Sequence, residues 1–125
     1  MAWELPSWLW KIEGADRGES MFGGGAAVWV DGREILHRDA DGRFDLRLTR
    51  QAIRELRPRL GADPRVRLRA STSSDWIDLE VPTVDDETLL RELVRRAVAE
   101  HLPLPGEGRK APPEGEALAR RRRLH

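Results

Sequence analysis

The 125-residue chain has three histidines, five tryptophans and no cysteine, and these set the limits of its chemistry. Without cysteine there are no disulfides, thiolate nucleophiles, cysteine zinc sites or iron–sulfur clusters. His37, Asp39 and Asp41 alternate around a turn, a spacing that invites a metal. With Gly42 as the sixth residue of a calcium loop, however, His37 would stand first and Leu48 twelfth, so that motif is absent and no metal is expected. His37 is the one candidate for catalysis, set against the plainer reading of a buried or half-buried histidine with a hydrogen-bonded ring. Phe22-Gly23-Gly24-Gly25 has the glycines of a phosphate loop. No strand is expected before it, no helix after it, and no Gly-Lys-Ser/Thr appears, so it reads as the entry to a strand. The more informative group is Trp29, Arg47, Arg67, Arg69 and Trp76, the candidate ligand-binding residues. Guanidinium groups beside exposed indoles can stack bases or clamp an anionic aromatic ligand. Against this, Arg67 and Arg69 can form a cross-strand charge ladder with Asp78 and Glu80.

The elements that must position these residues follow from periodicity. Asp31-Gly32 and Asp41-Gly42 each separate runs of strand character, and Asp-Gly suits a two-residue hairpin turn. The expected meander is Ala26–Val30, Arg33–Asp39 and Arg43–Leu48. Two-residue turns would set Val28 opposite Ile35, His37 opposite Leu46 and Ile35 opposite Leu48, all on the buried face. The other face would then receive Trp29, Leu36, Arg38, Asp45 and Arg47, with Arg38 across from Asp45. Thr49 caps a helix to about Leu60, with Ile53, Leu56 and Leu60 inward. Val66, Leu68 and Ala70, then Ile77, Leu79 and Val81, alternate with polar residues as a second hairpin. A last helix starts near Thr83–Asp86 and carries Leu89, Leu90, Leu93, Val94, Ala97 and Val98 at helical spacing. The order is βββαββα, an α+β fold with an antiparallel sheet and helices packed on one face.

Three segments result. Residues 1–25 are a tryptophan- and glycine-rich N-terminal segment, in which Pro6 and Ser7 open a short helical turn through Ile12. Residues 26–102 are the folded body. Residues 103–125, with four prolines, three glycines and the run Arg120–Arg123, read as a disordered basic tail with a frayed helical turn near Glu116–Arg122. The 22 basic and 22 acidic residues cancel, but unevenly. Nine arginines lie within 43–69, while seven acids lie within 75–92, a division that favours internal pairing before any external partner. No apolar run reaches the ~20 residues of a membrane span. Met1-Ala2-Trp3-Glu4 lacks the basic and apolar regions of a signal peptide, so a cytoplasmic location is expected.

Gly32-Arg33-Glu34-Ile35-Leu36-His37, continued by Asp41-Gly42-Arg43-Phe44-Asp45-Leu46-Arg47-Leu48-Thr49-Arg50, resembles the bacterial luciferase-domain family. Phe22-Gly23-Gly24 resembles that family's upstream Phe-Gly-Gly, Ser74-Asp75-Trp76-Ile77-Asp78 its Ser-Gly-Trp-Val-Ser-like strand, and Ser7-Trp8 its early Ser-Trp. The likeness spans most of residues 5–102. It implies kinship with fungal luciferases, which oxidise a pyrone luciferin with molecular oxygen and no evident metal. Two departures stand out: Asp39 replaces a second histidine, and Arg65-Val66-Arg67-Leu68-Arg69 replaces a histidine-bearing segment. The strand and helix order is also similar to the YjbR-like family, whose sheet architecture has been linked to DNA binding.

Three functions compete. The favoured one is a small luciferase-like binding or interaction module whose Arg/Trp-bearing sheet face takes a small aromatic ligand or a second copy, without a cofactor. The second is a nucleic-acid-binding domain using Arg47, Arg67, Arg69 and Arg120–Arg123, with affinity that falls steeply with salt. The third is a cofactor-independent oxygenase-like enzyme around His37, which requires a pocket beside that ring with room for a planar substrate.

Overall fold

A computed structural model describes residues 5–23, 25–71, 73–81 and 87–124. The chain is an α+β fold built on one six-stranded antiparallel sheet. Its strands are β1 (Asp16–Glu19), β2 (Ala26–Val30), β3 (Arg33–Arg38), β4 (Phe44–Arg47), β5 (Val66–Leu68) and β6 (Trp76–Leu79), in spatial order β1-β2-β3-β4-β6-β5. Helices α1 (Arg50–Leu60) and α2 (Glu87–His101) cover one face. Among the described residues no helix is long and apolar enough to cross a membrane.

The main core lies between that face and the two helices. Val28, Val30, Leu36, Leu46, Ile77 and Leu79 of the sheet meet Ala52, Ile53 and Leu60 of α1 and Leu89, Leu90, Leu93, Val94, Ala97 and Val98 of α2. The helical periodicity of the sequence is therefore the periodicity of burial. Thr49 caps α1 as expected, its hydroxyl accepting from the Ala52 amide at 3.0 Å. The expected start of α2 at Thr83–Asp86 lies outside the described residues, as does Trp3. Ser7–Lys11 forms a 3₁₀ turn that drives Leu9 fully into the core.

Three expectations need correction. First, β1 precedes the glycine-rich segment and pairs with β2, so the sheet begins at Asp16 and the boundary at residue 26 falls inside it. The glycines link two strands, and still no helix follows them. Second, the turn expected near Glu116–Arg122 is a docked helix, α3 (Gly115–Arg123), which lies on the sheet face opposite α1 and α2. Leu118 packs there against Ala27 and Trp29. The periodicity hid the docking because a single apolar residue, Leu118, is buried by it.

Third, the register of β3 differs from the one that two-residue turns impose, and the difference decides the site. The first turn behaves as expected: Asp31 and Gly32 both take positive φ (51° and 75°) and Val30 pairs with Arg33. Beyond it a bulge intervenes, so Trp29 pairs with Glu34 but Val28 with Leu36, leaving Ile35 as the extra residue. The second turn holds three residues, Ala40-Asp41-Gly42. The Asp39 amide donates to the Arg43 carbonyl at 2.9 Å, and Gly42 closes the turn at φ 83°. Leu36 therefore pairs with Leu46, His37 with Asp45, and Arg38 with Phe44. A one-residue shift exchanges faces. Leu36 enters the main core, and His37, expected there, joins Asp45 on the opposite face.

Candidate functional site

The bulge at Ile35 has a chemical consequence. Residues three apart in a regular strand point to opposite faces, yet here Glu34 and His37 share one. The His37 Nδ1 lies 2.8 Å from Glu34 Oε2, and its Nε2 lies 2.9 Å from Asp45 Oδ2 on the neighbouring strand. Burial alone would lower the pKa of this ring. The Asp45 and Glu34 carboxylates outweigh it and raise the ring to about 9. Two carboxylates within 2.9 Å of its ring nitrogens favour the protonated ring, although Nδ1, 2.8 Å from Glu34, lacks the geometry of a hydrogen bond.

The network extends across the sheet. The Ser20 hydroxyl donates to Glu34 Oε2 at 2.8 Å, and the Met21 amide donates to Glu34 Oε1 at 2.6 Å. Asp45 faces Asp78 across the β4–β6 register, and Arg69 donates to Asp78 Oδ1 at 3.0 Å. Burial pushes Asp45 up, but the His37 N–H overrides it and holds the carboxyl below its ordinary range. Asp78 moves the other way: burial and the adjacent Asp45 raise it against the pull of Arg69. Two neighbouring carboxyls have thus been driven apart in acidity, as like charges at close range require.

Above this row lies a cleft of about 470 Å³, lined among others by Phe22, His37, Asp45, Arg69 and Trp76. Its aromatic members form a triangle. Phe22 stacks on His37 at 5.1 Å, Trp76 stands edge-on to Phe22 at 5.6 Å, and His37 tilts against Trp76 at 5.5 Å. Phe22, 47% exposed, closes the top of this stack. Its amide donates to the Ser20 hydroxyl at 3.1 Å.

Of the sequence candidates, His37, Arg69 and Trp76 line this cleft together. Arg47 stands beside it, its guanidinium 5.9 Å from the Trp76 ring centre and paired with Asp75 at 2.8 Å. Arg67 is exposed opposite Asp78 in the register and makes no ion pair among the described residues. Trp29, expected to be open, is fully buried beneath α3. The anticipated charge ladder is half realised: Arg69 takes Asp78, while Glu80 pairs with Arg43 at 3.0 Å. Arg38 does not meet Asp45; it lies 4.5 Å over the Phe44 ring and donates to the Gly42 carbonyl. Among the described residues no group of His, Asp or Glu is arranged to hold a metal ion.

Compared with known proteins, the chain matches no family model, no curated protein and no solved structure. The site therefore rests on its own geometry.

Sequence reasoning missed Phe22, Glu34 and Asp45 as partners of His37, and Ser20 and Asp78 as the groups beside those two carboxylates. One signal pointed to them. Pairing Leu36 rather than His37 with Leu46 buries a leucine instead of an imidazole, and only a three-residue second turn permits it.

Proposed function

We propose that this protein is a small-ligand-binding module of the luciferase-domain type, and that its ligand is a planar aromatic molecule bearing an anionic or acidic substituent. The carrying observation is the aromatic cleft floored by the His37 ring, which lies within 2.9 Å of the Glu34 and Asp45 carboxylates and beneath Phe22. Such a ring offers a ligand its cationic face, which favours an electron-rich or anionic π-system over a cation. Trp76 and Phe22 supply flat apolar walls, and the half-exposed Arg69, paired with Asp78 through one of its five N–H donors, stands at the rim with others to offer an acidic group.

The same observation weighs against the oxygenase-like reading. A general base needs a free nitrogen lone pair at its working pH, and the Glu34 and Asp45 carboxylates beside the two ring nitrogens favour the protonated ring instead.

Thermal shift and calorimetry with 4-hydroxybenzoate, 4-hydroxycinnamate and a hydroxypyrone test this reading, with benzylamine and hexanoate as controls. A ligand at 100 times its dissociation constant stabilises by about 2.7 kcal/mol, a shift of several degrees for a domain of this size. Trp76→Ala is expected to abolish binding. Arg69→Gln is expected to weaken the carboxylates more than a neutral phenol. Equal binding of benzylamine, or no shift with any aromatic probe, overturns the proposal.

A further inference from the structure

Helix α3 lies next to the turn that carries Phe22, and its contacts run into that turn. Met21 packs against the Ala27, Trp29 and Leu118 cluster beneath α3, while its neighbour Phe22 stacks on His37 in the cleft. One short turn thus has one residue on each side. Arg121 holds its guanidinium 5.7 Å from the Trp29 ring centre and donates to the Gly32 carbonyl at 2.6 Å. Arg122 donates to the Ser20 carbonyl at 2.8 Å. Ser20 in turn holds the Phe22 amide and Glu34 through its hydroxyl, and Glu34 holds His37. A continuous set of polar contacts therefore joins Arg122 to the floor of the cleft.

We infer that α3 is an intramolecular latch: docked, it fixes Met21 and Ser20 and so sets where Phe22 lies over His37, and undocked, it releases Phe22 and alters the cleft. Arg122 and Leu118 are positioning residues for the cleft, touching its frame and not its ligand.

The docking is built to be reversible. Nine residues are too few for an isolated helix to be stable in water, so α3 depends on its tertiary contacts. Those contacts are few: one buried leucine, the Arg121 guanidinium beside Trp29, guanidinium bonds to two backbone carbonyls and an exposed Arg122–Glu19 pair at 3.5 Å. The connection from α2 contains Pro103, Pro105, Gly106, Gly108, Pro112 and Pro113 and is itself held to the sheet by exposed contacts, Arg109 to Asp16 at 3.2 Å and the Lys110 amide to Asp31 at 2.8 Å. Segments with few buried apolar contacts are the ones that open locally without global unfolding.

The consequence for ligand rests on the cleft being the binding site; the mechanical coupling does not, and the experiment separates the two. Amide hydrogen exchange is followed by NMR in the full-length protein, in Leu118→Asp and in Arg122→Ala. Leu118→Asp is expected to speed exchange of the α3, Met21 and Phe22 amides roughly tenfold or more while the Leu46 and Leu93 amides keep their protection. Arg122→Ala is expected to speed Met21 and Phe22 by a smaller factor with α3 still protected. Deprotected α3 amides with wild-type rates at Met21 and Phe22 overturn the latch. Should Leu118→Asp also deprotect Leu46, the Arg122→Ala rates decide, and unchanged Met21 and Phe22 rates overturn it. A parallel titration with 4-hydroxybenzoate is expected to show altered affinity in both variants. If the wild-type protein does not bind the probe, the ligand reading fails while the exchange rates still decide the latch.

Discussion

At the scale of single residues, the two buried histidines oppose one another. His37 is raised to about 9 from an ordinary 6.5, so between those values the native ring holds a proton that the unfolded chain has released. Its contribution is complete below pH 6.5 and is lost as pH climbs through 9, a decline on the order of 3 kcal/mol. His101 behaves inversely. Burial among α2 and the sheet pushes it down, against the pull of the Leu48 carbonyl that accepts from its Nε2 at 3.1 Å. Its contribution is present above pH 6.5 and is lost as pH falls below that value. Urea titrations across pH 5 to 10 are expected to show stability falling on the alkaline side, and His37→Gln to flatten that fall while leaving the acid limb. An unchanged alkaline limb in His37→Gln would mean the ring is not the titrating group. His37 was legible as the one residue worth watching, but its charge was not, because Glu34 and Asp45 reach it only through the register.

At the scale of elements, turn length decides which face each strand presents. The sequence correctly implied both Asp-Gly hairpins, the Thr49 cap and the helix faces, since each depends on residues within a turn or two of one another. It did not reveal the bulge at Ile35 or the third residue of the second turn. Asp-Gly suits both a two-residue turn and the last two positions of a three-residue turn with glycine in the left-handed region. Competition between Leu36 and His37 for the buried face settles it. Gly42→Ala places a side chain at φ 83° and is expected to cost about 1 kcal/mol in urea denaturation. A larger loss, with His37 becoming more exposed to solvent, would show that the turn was holding the register. Thr49→Ala is expected to cost a similar ~1 kcal/mol through loss of its bond to the Ala52 amide, with the cleft unaffected.

At the scale of the whole molecule, the basic stretch 43–69 and the acidic stretch 75–92 are joined internally. Arg43 pairs with Glu80, Arg47 with Asp75, Arg59 with Glu92 and Arg69 with Asp78. Such exposed pairs stabilise little individually, but they engage Arg47 and Arg69, two of the cations a nucleic-acid surface here would use, and leave Arg67 unpaired among the described residues. Fluorescence anisotropy with a short DNA duplex at physiological salt is accordingly expected to give only non-specific affinity, weaker than about 10⁻⁶ M. Tighter binding with a steep salt slope would restore the nucleic-acid reading. The sequence by itself determined the α+β class, the helix faces, the internal charge balance and the exclusion of thiol chemistry. These follow from composition and from periods that span only a few residues. Only the tertiary structure decided that His37 is a charged ring between two acids, that Trp29 is covered, and that the tail is a docked helix. Each of these joins residues distant in the chain through a one-residue register shift or a single leucine, and local periodicity contains no record of either.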